Sequence, residues 1–261
     1  MNAQGGSERP PFIRMEGVRK TYKASGQEFL AVSDVTMSIA EGEFVSLVGP
    51  SGCGKTTVLK ILADLHGYDA GTVNIGDEDH PFTPGRDVGM VFQQPLLLKW
   101  RTILDNVLLP TEILGLDKQA ARSRALELLE LVGLKGFETK HPYELSGGMQ
   151  QRAAIARALV HDPKLVLMDE PFGALDALTR ERMNLELLQI WQESRKTILF
   201  VTHSIQEAVL MGTHCAVLTA GPARMAAYFA IDLPFPRRLD MRQTAEFGTY
   251  ARRIYDLLGM E

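Results

Sequence analysis

Gly49-Pro50-Ser51-Gly52-Cys53-Gly54-Lys55-Thr56 has the pattern G-x-x-x-x-G-K-[ST], which describes a loop that wraps phosphates. It follows an apolar run, Phe44 to Val48, that reads as a buried strand, and it opens a helical stretch from Thr56 to about Leu65. Glycines permit backbone conformations that a side chain forbids, so successive N–H groups can converge on one anion. The helix start beyond them adds unpaired donors and the positive end of a dipole. Lys55 is expected to reach the outer phosphates and the Thr56 hydroxyl to bind magnesium, with Thr57 in the same set. Cys53, near a helix start and Lys55, is either a reactive thiol or an inert buried one.

Outward from this loop, Phe12 to Tyr22 and Leu30 to Ile39 read as strands joined by a turn at Lys23 to Gln27. Gly71 to Ile75 and Asp87 to Phe92 read as another pair. The period then turns helical, over about 95–161. Thr102 with Asp105 resembles a capping box ahead of a helix that Pro110 should kink. Asp117 to Val132 carries Ala125, Leu128, Leu129 and Val132 at helical spacing. Strand-like Lys164 to Met168, Thr197 to Val201 and Cys215 to Leu218 then alternate with helical Ala177 to Ser194 and Ile205 to Met211. This alternation predicts an α/β fold with a parallel sheet. The expected organisation is a flexible lead-in at 1–11, one domain at 12–220, and a tail at 221–261 ending in a helix from about Ala245 to Leu258.

A chain of 261 residues, 45% hydrophobic, suits one large domain or a domain with a subdomain. A net charge of −4, with both signs mixed along the chain, gives no basic footprint for nucleic acid. Two cysteines make no disulfide framework, which points to a reducing compartment. The richest apolar stretch, Leu96 to Leu114, is broken by Lys99, Arg101, Asp105 and Pro110, so no membrane span is expected. The polar N-terminus has no signal-peptide core.

Leu165-Val166-Leu167-Met168-Asp169-Glu170 is an apolar strand ending in two carboxylates. With a phosphate loop upstream, Asp169 is expected to hold magnesium opposite Thr56, and Glu170 to orient an attacking water. His203 follows the strand Thr197 to Val201, where a parallel sheet presents its functional ends, and is expected to meet the γ-phosphate. Gln93, after Val88 to Phe92, is a candidate ligand for magnesium or the water. A second glycine motif, Leu145-Ser146-Gly147-Gly148-Met149-Gln150, begins a helix from Met149 to Val160 and makes another anion-binding helix start. One phosphate loop and a separate second anion site suggest that the second serves a neighbouring copy under two-fold symmetry.

In this order the motifs resemble those of the nucleotide-binding subunit of ATP-binding cassette (ABC) transporters, over about Phe12 to Leu218. The resemblance implies a P-loop NTPase cassette fold with an antiparallel β subdomain and a helical subdomain. By it, Gly49–Thr56 is Walker A, Gln93 the Q-loop, Leu145–Gln150 the signature, Leu165–Asp169 Walker B with catalytic Glu170, Gly173-Ala174-Leu175-Asp176 the D-loop and His203 the H-loop. It also implies that Tyr22 stacks on adenine and that Val32 packs nearby. Trp100-Arg101-Thr102, the run Phe172 to Arg180 and the tail Asp232-Leu233-Pro234-Phe235-Pro236-Arg237 are similar to importer ATPases of the nitrate/sulfonate/bicarbonate/taurine group. Lys99 stands where that group has proline, and Gly221-Pro222-Ala223-Arg224-Met225 matches its turn only in part.

The resemblance implies ATP and Mg²⁺ as ligands, a homodimer of cassettes, separate transmembrane permease subunits, a solute-binding protein at one remove, and a peripheral position on the cytoplasmic face of the inner membrane. Leu96, Leu97 and Trp100 either line a groove for a permease helix or belong to the subdomain core. The alternatives are the ATPase of an exporter or lipid-transport complex, and a cassette ATPase working outside transport, which would be expected to carry long coiled coils, paired cassettes or basic surfaces.

Overall fold

The computed structural model describes residues 11–24, 26–76, 81–173 and 175–259. Its strands are β1 (Pro11–Ala24), β2 (Gln27–Ala40), β3 (Phe44–Val48), β4 (Ala70–Ile75), β5 (Val88–Val91), β6 (Leu165–Asp169), β7 (Thr197–Thr202), β8 (His214–Leu218) and β9 (Ala223–Ala230). The helices are α1 (Lys55–Leu62), α2 (Pro84–Asp87), α3 (Ile103–Ile113), α4 (Lys118–Leu131), α5 (Gly147–Leu159), α6 (Ala177–Ser194), α7 (Ile205–Met211) and α8 (Ala245–Leu257). The lead-in expected at 1–11 lies outside the described residues except for Pro11, which starts β1.

The strands form one sheet in the order β4-β1-β2-β9-β8-β3-β7-β6-β5. From β8 to β5 every pairing is parallel. At the other end β1 runs antiparallel to both β2 and β4. Alternate residues of the central strands face opposite sides, and both sides are covered. Phe44, Val48, Val166, Met168, Ile198 and Phe200 join one apolar cluster with α5, α6 and α7. Val45, Leu47, Leu165, Leu167, Leu199 and Val201 join a second with α1, β1 and β2. Every residue of β3 and β7 is therefore buried, which explains why these strands read as unbroken apolar runs.

Helices α3, α4 and α5 pack together beside the β5 edge of the sheet. Thr102 caps α3 by accepting from the Asp105 N–H at 3.1 Å, and Asp117 caps α4 through the Ala120 N–H at 2.7 Å. Helix α3 runs through Pro110 to Ile113 without a break.

The stretch from Gly221 onward is more than an appended tail. Its residues 223–230 form β9, antiparallel to β8 and parallel to β2, between the two halves of the sheet. The sequence hides this strand because half of it is alanine, which has little strand preference, and tertiary pairing overrides propensity. Beyond β9, Arg237 is buried and donates to the carbonyls of Val209 (2.9 Å), Gly212 (3.3 Å) and Ile231 (3.1 Å). Burial pushes its pKa down to about 10. Helix α8 buries Phe247, Ala251 and Ile254 against α7.

A chain ended after Ala220 would leave β2 and β8 with unpaired edges and uncover the apolar cluster under Phe229 and Ile231. Its soluble yield should collapse, and its circular-dichroism melt should lose cooperativity. A cooperative melt like that of the full chain would restore the view of 221–261 as a tail.

Candidate functional site

The phosphate-type loop leaves the end of β3 and enters α1. Gly54 sits at φ +117°, and a Cβ built there would stand 2.7 Å from the Ala31 carbonyl oxygen. Only glycine satisfies both constraints. No side chain caps α1, and its first turn holds no acidic residue, so the N–H groups there have no side-chain competitor for an anion. Lys55 folds back over the loop, its Nζ donating to the Gly49 oxygen at 2.7 Å and the Pro50 oxygen at 2.9 Å. Ser51, Gly52 and Thr56 are exposed, and Thr57 is buried beneath them.

In the sheet order β3-β7-β6-β5 the parallel strands end on the same side, and each expected residue follows one of them. Lys55 and Thr56 come after β3, His203 after β7, Asp169 and Glu170 at β6, and Gln93 after β5. Burial pushes the Asp169 carboxyl above its ordinary value, with the Thr56 hydroxyl bonded to it pulling the other way and the neighbouring Glu170 charge adding to the rise. Glu170 holds φ +46° while its N–H donates to the Val201 oxygen at 3.0 Å. That conformation costs a non-glycine residue on the order of 1 kcal/mol. It turns the carboxylate to 3.2 Å from Nδ1 of His203, whose side chain is 51% exposed. A carboxylate and an imidazole facing open space beside a lysine and a helix start can take a proton and receive developing negative charge.

The second glycine motif stands apart. Ser146 caps α5 by accepting from the Met149 N–H at 3.3 Å, and Gly147 and Gly148 form the helix start. Gln150 holds the preceding turn through the Pro142 and Leu145 oxygens at 2.9 and 3.1 Å. Leu145 is buried as its anchor. Among the described residues no hydrogen bond joins Leu145–Gln150 to Gly49–Thr57. Gln93 is exposed, and the chain beside it is fastened to α5: Gln151 donates to the Phe92 oxygen at 2.9 Å, and Arg157 to Pro95 at 2.7 Å and Leu96 at 2.8 Å. Asp176 caps α6 through the Thr179 N–H at 3.0 Å; Ala174 lies outside the described residues.

Tyr22 is half-buried, its hydroxyl 3.4 Å from Thr57 Oγ1 and its ring edge-on to His66. Val32 is 0% exposed within the core, so it offers no surface to a base in this conformation. The sequence separates neither case, since both are strand residues in an alternating run. Cys53 is 1% exposed, and burial raises its pKa against the pull of Lys55, which fits the inert thiol. Of the trio around Trp100, Leu97 packs on the core, whereas Leu96 and Trp100 are exposed.

Sequence reasoning passed over the charged residues behind the site, Arg180 and Glu207. Glu207 is buried in α7, where it accepts from the Thr202 hydroxyl at 2.5 Å. Glu207 stands immediately before the apolar run Ala208-Val209-Leu210-Met211, a position that by itself does not mark it as buried.

The model of the ABC transporter family matches residues 32–173. The chain is 46% identical to a taurine import ATP-binding protein of Rhizobium johnstonii over 82% of this chain and 80% of that protein. It is 44% identical to an aliphatic sulfonates import ATP-binding protein of Bacillus licheniformis over 91% of each. Among solved structures it is similar to a dimeric ATP-binding cassette in a post-hydrolysis state with ADP and phosphate, with a TM-score of 0.74 and 34% identity, covering 85% of this chain and all of that one. With its phosphate loop, strand-end carboxylates and detached second glycine motif, the chain belongs to the ABC transporter family and is an ATP-binding cassette of the ATPase kind.

Proposed function

We propose that this cassette powers uptake of a small anionic solute of the sulfonate, taurine or nitrate kind through a separate permease. It works as a homodimer held peripherally on the cytoplasmic face of the membrane, with a solute-binding protein at one remove. What supports the reading is the Glu170–His203 couple at 3.2 Å beside Lys55 and Asp169, at the ends of adjacent parallel strands, together with relatives named as importers of sulfonates and taurine. No described helix is long and apolar enough to cross a membrane, so translocation falls to other subunits.

In this reading Tyr22 stacks on adenine while Gly49 to Thr57 wrap the phosphates. Lys55 exchanges its two loop carbonyls for phosphate oxygens, which offer it charge-assisted bonds. A half-buried carboxylate of raised pKa with a hydroxyl bonded to it forms an oxygen donor set that suits magnesium, so Thr56 and Asp169 would hold the ion, with Gln93 as a further ligand. When bound, it neutralises charge on the β- and γ-phosphates. Glu170 orients the water and accepts its proton as oxygen bonds to the γ-phosphorus and the bond to the β–γ bridging oxygen breaks, giving ADP and phosphate. His203 donates to the γ-phosphate as its charge develops. Ser146, Gly147 and Gly148 serve the nucleotide of the partner copy, with Asp176 near the shared seam.

A permease helix docks in the cleft lined by Met90, Leu96, Leu109 and Ile113. Leu96 and Ile113 are 54% and 76% exposed, an apolar surface that a docked helix would cover.

Glu170→Gln should lower phosphate release by at least about 100-fold, yet still dimerise with ATP in light scattering. Near-normal turnover would remove Glu170 from its role. Cys53 should react slowly with maleimide at neutral pH and quickly once urea opens the chain, followed by mass spectrometry, because a raised pKa keeps the thiolate scarce. Fast native labelling slowed by ATP would reinstate the reactive thiol. Ile113→Glu should abolish co-purification with the permease while leaving ATP binding intact.

A further inference from the structure

We propose that the Arg180–Glu207 ion pair positions the Glu170–His203 couple, a role that rests on the functional reading of those two residues given above. Glu207 Oε2 accepts from the Thr202 hydroxyl at 2.5 Å, and that same hydroxyl oxygen accepts from the Ser204 N–H at 3.0 Å. The residues on both sides of His203 are thus tied to one buried carboxylate. The imidazole itself is half exposed and meets the Glu170 carboxylate at 3.2 Å.

Arg180, in the first turn of α6, does the same for the other member. Its guanidinium donates to the carbonyls of Phe172 (3.2 Å), Gly173 (3.3 Å) and Leu175 (2.9 Å), clamping the turn that leaves Glu170. The Gly173 N–H in turn donates to the Glu170 oxygen at 3.0 Å. Arg180 Nε lies 3.9 Å from Glu207 Oε1, which also receives the fully buried Asn184 amide at 3.4 Å. Two loops leaving different strands, β6 and β7, are therefore referred to one charge pair.

Stability alone gives little reason for this pair, in which the Glu207 side chain is 8% exposed and that of Arg180 29%. Replacing buried ion pairs with apolar side chains of similar volume is commonly neutral or stabilising, and Glu207 sits in a helix where an apolar residue would pack without a desolvation cost. A planar guanidinium that reaches three carbonyls and a carboxylate does what an apolar pair could not: it fixes the distance between two catalytic groups. Small misplacement of such groups is felt in turnover rather than in binding.

The test uses the purified full chain, with Arg180→Gln, Glu207→Gln and the double variant, and reads kcat and KM for ATP alongside binding of a fluorescent ATP analogue. Each single variant should lower kcat about 10- to 100-fold with KM and analogue affinity essentially unchanged. The double variant should be no slower than the slower single, because both break one unit. If a glutamine variant fails to fold, Arg180→Lys, which keeps the charge without the fork, must show the same fall in kcat at constant KM. An unchanged kcat, a parallel rise in KM, or additive losses would overturn the proposal. Where the unaltered chain hydrolyses ATP and Glu170→Gln abolishes this, such results remove only the positioning role. Where the unaltered chain fails to hydrolyse, or Glu170→Gln turns over normally, the reading of the site itself falls and takes this role with it.

Discussion

Parallel strands hydrogen-bonded side by side must end on the same edge, and β3, β7, β6 and β5 do. That constraint brings together groups separated by well over a hundred residues, from Lys55 to His203, without any long loop having to find its partner. It also demands that both faces of the sheet be covered, which is why two apolar clusters are needed and why α1 and α5–α7 lie on opposite sides. The site is a rim on a fully buried scaffold, and its positions are only as mobile as the strand ends beneath them.

The rim holds charges that the protein alone serves poorly. Lys55 spends its donors on loop carbonyls, and Asp169 carries a carboxyl that burial and the neighbouring Glu170 both push toward the neutral form. Glu170 keeps a left-handed backbone that other folds give to glycine. Each is a modest cost to the fold, and each is the kind of arrangement that a bound polyanion strengthens. The scaffold tolerates this because its stability comes from the clusters below.

The legible parts of this molecule were those whose chemistry is written in consecutive residues. The phosphate loop needs its glycines at fixed offsets, as Gly54 shows by its φ and by the Ala31 carbonyl that excludes any Cβ. Strands β3, β6 and β7 were readable because double-sided burial leaves an uninterrupted apolar run. Strand β9 was not, since its alanines pair only because β2 and β8 present open edges on either side. Arg180 and Glu207 were invisible for a related reason: their meaning lies in a contact across 27 residues, and a charge read one position at a time looks like solvated surface. Val32, placed near a base by resemblance, is fully buried in β2, and a motif position alone does not carry exposure.

The detached second motif follows from the same geometry. Helix starts leave N–H groups without intrahelical partners, and a glycine stands at the start of both α1 and α5. Helix α5 is fastened to the chain around Gln93 through Gln151 and Arg157, so its N-terminus is held by its own cassette rather than left to swing onto its own loop. In the proposed homodimer, a nucleotide on one cassette meets this second set of donors from the other copy. Shifting such a pair from about 1% to about 99% closed requires about 5.5 kcal/mol of preference for the closed form. Charge-assisted hydrogen bonds contribute about 1.5–3 kcal/mol each, so about two to four donors to a γ-phosphate suffice. In that reading, loss of the γ-phosphate on hydrolysis removes the acceptor itself, so the bonds that would close the pair go with it.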